Sequence, residues 1–184
     1  VNDDGKITED DMIWTTSPSR PEQVLGLGAS LSWKGFDFSF LMQGAFGATT
    51  YLTSGWYFQP FQAERDPKLM GNLITKFRDR WTEENPDPYA FSPRLYMGQN
   101  VNNYKSSTWW VRNSDYMRLK NLEFGYTLPR KALDRMRLDN LRFYVSAQNL
   151  MTFSKFKKEF WDPEVGADAY PIQATVFLGV NLTF

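Results

Sequence analysis

Two side chains are missing from this 184-residue chain altogether: it has no cysteine and no histidine. Their absence removes thiol nucleophiles, disulfides, imidazole bases and the commonest zinc ligands, and with them the usual players of most hydrolytic and redox mechanisms. Net charge is missing as well, because 21 basic residues meet 21 acidic ones. So balanced a sequence has no overall attraction for polyanions, and a nucleic-acid partner is not expected. No run of about 18 apolar residues occurs, which excludes a transmembrane helix. The start shows no basic stretch followed by an apolar one, so no signal peptide is visible. Val1 opens inside motif-like sequence, which leads us to expect a longer parent protein.

Aromatic residues, by contrast, are abundant: 17% of the chain, including 15 Phe and 7 Trp. Such side chains suit pleated surfaces and also gather at membrane interfaces. Their placement is periodic. Leu25, Leu27, Ala29, Leu31 and Trp33 alternate with Gly26, Gly28, Ser30 and Ser32, the period of a strand with one apolar face. Lys34-Gly35 suits a two-residue hairpin turn, with glycine free to take positive φ. Phe36, Phe38, Phe40, Met42 and Phe46 make the next apolar row. Later rows run through Leu122, Phe124, Tyr126 and Leu128, through Leu141, Phe143, Val145 and Ala147, and through Val176, Leu178, Val180, Leu182 and Phe184. These rows predict strands near residues 24–33, 36–47, 116–128, 141–152 and 172–184. Met117 and Leu119 have the opposite parity to Leu122, which points to a bulge near Lys120-Asn121 or to an upper strand that leaves the apolar layer.

The connections alternate short and long. About sixty residues follow Gly47 without alternation, too many for a structureless link inside a compact domain. Within them Leu69, Leu73, Phe77 and Trp81 recur every fourth residue after Asp66-Pro67, predicting a short amphipathic helix. Arg130 to Asn140 reads as a short charged link with a helical turn or two. Short links at one end of a sheet and long ones at the other are the pattern of an outer-membrane barrel, with short periplasmic turns and long extracellular loops. The predicted strands are also long enough to cross a bilayer core, which takes about 9–11 tilted residues. A soluble antiparallel sheet with one wet face produces similar alternation, so a soluble β-rich carbohydrate-binding or adhesion module is the competing reading. Strand length, the Gly, Ser, Thr, Gln and Asn on the opposing rows, and the aromatics at Trp33, Phe36, Tyr126 and Phe184 beside the short turns favour the membrane. Five strands close no barrel, so a larger wall is implied.

With the strands in place, the stretches "DRWTEENPD" with "SPRLY", "STWWVRNSDYMRLKNLEFGYTLP", "LRFYVSAQNLMTF", "FWDPEV" and "YPIQATVFLGVNLTF" become informative. Together, and in this order, they resemble the C-terminal part of the SusC/RagA family of TonB-linked outer-membrane transporters. The resemblance covers essentially the whole of residues 1–184. It implies an all-β fold: an antiparallel transmembrane segment supplying the last five strands of a barrel of about 22, with long extracellular loops, one of them containing a short helix. It also implies a plug domain, absent here, a SusD-like surface lipoprotein as partner, energy from the TonB complex through the missing N-terminal region, and nutrient oligomers such as glycans or peptides as cargo. The protein is not expected to be an enzyme and is expected to require no cofactor. The terminal Phe184 resembles the signal read by the barrel-assembly machinery, and doubles as an interfacial aromatic facing outer-membrane lipid.

Several local features suggest binding chemistry. "VNDDGKITEDD" resembles a calcium loop in which Asn2, Asp4, the carbonyl of Lys6 and Asp11 are ligands and Gly5 makes the turn. The first ligand would precede Val1, and Asp11 stands where EF-hands carry glutamate; the competing reading is an acidic solvated turn. Trp56, Tyr57, Tyr89, Trp109 and Trp110 lie in or beside the large loop, where aromatics stack on sugars or, more commonly, pack the loop against itself. Tyr144 and Phe177 are bulky residues on the inner row, expected to touch the plug or loops folded into the lumen. Asp162 and Glu164 flank Pro163, but nothing in the sequence sets them against a base, a nucleophile or a second acid, as a glycosidase pair would require. If the acidic loop is a calcium site, calorimetry should detect binding once the residue preceding Val1 is restored; no heat of binding in that longer chain ends the idea.

Overall fold

The computed structural model describes residues 3–6, 8–52, 73, 75–96, 103, 105–156, 162–166 and 169–184. It divides into two compact units, one of Val1–Ser17 with Thr50–Arg112 and one of Pro18–Thr49 with Asn113–Phe184.

The second unit holds a five-stranded sheet. Strands β1 (Gln23–Trp33) and β2 (Phe36–Phe46) form a hairpin, followed after short strands β3 (Thr49–Tyr51) and β4 (Val111–Asn113) by β5 (Tyr116–Thr127), helix α1 (Arg130–Met136), β6 (Asn140–Phe153) and β7 (Thr175–Thr183). The order β1-β2-β5-β6-β7 is that of an antiparallel meander, while β3 and β4 pair separately. The sheet is open, with β1 and β7 at its edges. The first turn forms because Lys34 and Gly35 both take positive φ, 49° and 88°, which matches the twist of the flanking strands. Only glycine fits at position 35, since a Cβ there would lie 2.7 Å from the Thr127 carbonyl oxygen. The link from β5 to β6 contains α1, started after Pro129 and closed at Arg137 in the left-handed region, with Leu133 buried beneath it.

Register carries the apolar rows across the sheet without a break. Leu31 opposes Phe38, Phe38 opposes Phe124, Phe124 opposes Val145 and Val145 opposes Leu178. The neighbouring rows are Trp33, Phe36, Tyr126, Phe143 and Val180, and Ala29, Phe40, Leu122, Ala147 and Val176. On the other face Ser32, Asp37, Gly125, Tyr144 and Gly179 align, as do Ser30, Ser39, Glu123, Ser146 and Phe177. Beside the short turns the aromatics cluster: the Phe36 ring centroid lies 4.5 Å from that of Tyr126 and 5.8 Å from that of Phe124.

The parity conflict in β5 is resolved by a bulge. Leu41 pairs with Asn121 but Met42 pairs with Leu119, so Lys120 is the extra residue. The strand on its other side accommodates the same irregularity, with Asn149 at φ 52°. Because a shift of one residue exchanges the faces, the bulge keeps Met117 and Leu119 on the apolar side, opposite Met151 and Phe153. Arg118 is thereby sent to the polar side, between Gln43 and Thr152.

In the first unit Phe77, Ala90, Phe91 and Trp110 are buried. Phe77 and Phe91 meet edge to face at 5.9 Å, and an isolated parallel bridge joins Arg80 to Ser92. Of the predicted amphipathic helix, Asp66, Pro67 and Leu69 lie outside the described residues; Thr75–Arg78 forms a turn of 3-10 helix carrying Phe77 inward, and helical geometry ends before Trp81.

The two-faced register has a direct consequence in the full-length protein. Leu178, 82% exposed on the apolar face, should tolerate arginine poorly, at about 2–4 kcal/mol for a bilayer midplane position, whereas Asn181→Arg on the opposite face should cost much less. Refolding titrations into lipid that return equal costs would contradict this assignment of faces.

Candidate functional site

Two clusters of charge stand on the polar face. Nearer the short turns, Arg142 of β6 reaches diagonally across β5 to Asp37 of β2: its Nε donates to Asp37 Oδ1 at 3.0 Å, and its Nη2 donates both to Asp37 Oδ2 and, at 2.6 Å, to Glu123 Oε1. The guanidinium also lies 5.0 Å from the Tyr144 ring centroid, within cation-π range. Glycine makes both contacts possible. A Cβ on Gly125 would fall 2.5 Å from Arg142 Nη2 and 2.6 Å from Asp37 Oδ2, and one on Gly179 would fall 2.2 Å from the Tyr144 ring. The salt bridge and the ring therefore lie flat on the backbone of the neighbouring strands.

The second cluster sits at the long-loop end. Arg118, fully buried, donates from Nη2 to both carboxylate oxygens of Asp162, at 2.7 and 2.8 Å. Asp162 is itself only 7% exposed, and it also accepts the backbone N–H groups of Glu164 at 2.9 Å and Ile172 at 3.2 Å. Lys120 donates to both oxygens of Glu164, at 3.0 and 2.9 Å, and the Tyr116 ring lies 5.6 Å from the Arg118 guanidinium. Beneath this, Ser154 donates to the Asp115 carbonyl, Phe156 is buried, and the Asp115 carboxylate accepts the amides of Gly47 and Ala48. One carboxylate thus joins β5, the Asp162–Gly166 turn and the segment leading into β7. Removing one partner of such a buried pair costs about 3–5 kcal/mol, because the other charge is left uncompensated.

The sequence-derived candidates fall out differently. Trp110 is buried and donates its indole N–H to the Asn103 carbonyl, and Trp109 donates to that of Phe91, so both pack the large loop against itself. Tyr89 is exposed, and Trp56 and Tyr57 lie outside the described residues. Tyr144 and Phe177 are on the polar face. In the acidic loop, Asn2 lies outside the described residues; Asp4 Oδ1 accepts the Lys6 amide, and Asp11 Oδ2 accepts the Thr8 amide in a capping box. Among the described residues no group of three acidic side chains converges as a metal site. Phe184 is exposed at the end of β7's apolar row. Sequence reasoning missed the partners of Asp162 and Glu164. The signal was there: Arg118 and Lys120 are spaced two apart, as are Asp162 and Glu164.

Burial raises the pKa of the Asp162 carboxyl, but hydrogen bonds from the Glu164 amide, from Arg118 and from the Ile172 amide outweigh it, leaving the group below the ordinary carboxylate value. Its contribution to stability is therefore complete above that ordinary value and is lost as pH falls through the lower folded one. The protection of the Ile172 and Glu164 amides, measured against their intrinsic exchange rates, should fall over that acidic range. In Asp162→Asn the two amides should be poorly protected at every pH; parental protection that shows no fall on acidification contradicts the assignment.

No family model matches the chain. It is similar to TonB-dependent receptor P26 of Formosa agariphila, with 32% identity over the whole chain and 19% of that relative. Receptor P3 of the same organism is 26% identical, again over the whole chain and 18% of its own length. Among solved structures, the RagAB peptide importer in its open-open state aligns with a TM-score of 0.69 and 24% identity, covering 97% of this chain and 19% of the other. The chain thus spans about one fifth of the length of the curated relatives it matches, and these are named as receptors, not enzymes. With its sheet sharing the fold of part of the RagAB importer and its sequence matching receptors from end to end, the chain belongs to the TonB-dependent receptors.

Proposed function

We propose that this chain is the C-terminal barrel wall of an active transporter that imports nutrient oligomers, glycans or peptides, across the outer membrane. The observation that carries the reading is the register: five long strands hold one continuous apolar face and one face of Ser, Gly, Gln, Asn, Tyr and paired charges. Such a sheet separates lipid from a wet passage. Both edges are open, and unpaired strand edges do not persist in lipid, so further strands of the wider protein pair with β1 and β7. A SusD-like surface lipoprotein is the partner proposed for the outer side, and the TonB complex the source of energy through regions beyond this chain. The naming of RagAB as a peptide importer makes peptides the first cargo to test.

Two smaller assignments belong to the same proposal. Phe184, aromatic and exposed after the alternating row of β7, is offered to the barrel-assembly machinery. Calcium binding through Asn2, Asp4, Lys6 and Asp11 would draw on two carboxylates that also accept backbone amides, Asp4 from Lys6 and Asp11 from Thr8.

Deleting the parent gene should abolish uptake of labelled oligopeptides or oligosaccharides, and inactivating TonB should do the same with the protein still in the outer membrane. A tagged parent protein should bring down a surface lipoprotein in mild detergent. Unchanged uptake of both cargo classes in the deletion strain would refute the proposal.

A further inference from the structure

The described turn between β6 and β7, Asp162–Gly166, is held by hydrogen bonds to Arg118 and Lys120 of β5. Arg118 reaches that face only because the Lys120 bulge inverts the parity of β5 above Asn121. The side chain is fully buried there and donates to the carboxylate of a residue 44 positions later. β5 and β7 are not neighbours, since β6 lies between them. The Asp162–Gly166 turn, which lies between β6 and β7 in the chain, is thus held to β5 at the long-loop end of the polar face. It is fastened in two steps, Arg118 to Asp162 and Lys120 to Glu164, with matching spacing in both segments. The Asp162 carboxylate also fixes the return path by accepting the Ile172 amide.

We propose that these two ion pairs form a clasp that folds the Asp162–Gly166 turn inward, making it a fixed part of the import passage, with Arg118 and Lys120 as its positioning residues. The inference rests on the transporter reading, which identifies the polar face as the wall of the passage. At the inner position a single guanidinium nitrogen, Arg118 Nη2, donates to both carboxylate oxygens of Asp162. Lysine suits the outer one, where it is part exposed and a compact cation suffices.

The test uses the full-length protein in lipid, spin-labelled through Val165→Cys on the turn and Ser146→Cys on the polar face of β6, with electron-electron distances measured. The clasped protein should give one narrow, short distribution. Asp162→Asn should shift it to longer and broader distances, and Lys120→Met should broaden it, while Lys120→Arg should restore the parental distribution. Heat-modifiable migration on gels reports folding for each variant. If Asp162→Asn does not fold, Lys120→Met and its rescue by Lys120→Arg decide the question alone. A folded Asp162→Asn or Lys120→Met protein with the parental distribution overturns the clasp. Failure of the unsubstituted protein to fractionate with the outer membrane would instead count against the transporter reading, so the two failures are distinct.

Discussion

Everything in this sheet depends on a single register being kept over five strands. Side chains alternate with a period of two, so a slip of one residue in any pairing would carry charge into the apolar face and Phe or Leu into the polar one. The row from Leu31 through Phe38, Phe124 and Val145 to Leu178 is the record of that constraint. The turns enforce it at one end. Lys34-Gly35 admits one two-residue geometry, and α1 brings β6 back with its first residues hydrogen-bonded beside β5 and β7.

At the other end the same constraint is broken once, by design of the chain. The extra residue Lys120 reverses the faces of upper β5, and β6 follows with Asn149 in the left-handed region. Two outcomes follow from one inserted residue. Met117 and Leu119 stay with the apolar rows, and Arg118 turns to meet Asp162. Bulges commonly re-aim a side chain in this manner. Here the re-aimed group is an arginine that would otherwise point to lipid, where a charge is costly.

The two charge clusters use burial differently. Arg142 lies flat over Gly125, partly exposed, its one guanidinium shared between Asp37 and Glu123. Arg118 with Asp162 is sealed, and its carboxylate is saturated by one cation and two amides. A surface pair contributes little to stability, whereas a sealed pair dictates which segments must stay together. The first orders a wall; the second attaches a loop to it.

Local periodicity was enough to locate the strands, their apolar faces, the Lys34-Gly35 turn and the long-loop asymmetry, because each of these is written in residues close together in the chain. It also raised the bulge as an option, from the clash of parity between Leu119 and Leu122. What periodicity could not decide was which distant residues meet. Asp162 and Glu164 looked like acids without partners because Arg118 and Lys120 lie 44 residues earlier on a strand that is not their neighbour. For Trp109 and Trp110 the sequence favours packing over stacking on a ligand without naming what they pack on, and the carbonyls of Phe91 and Asn103 accept their indole N–H groups. Alternation is a property of one strand; ion pairs, covered rings and the glycine positions that make room for them are properties of strands already aligned, and only the assembled sheet sets them.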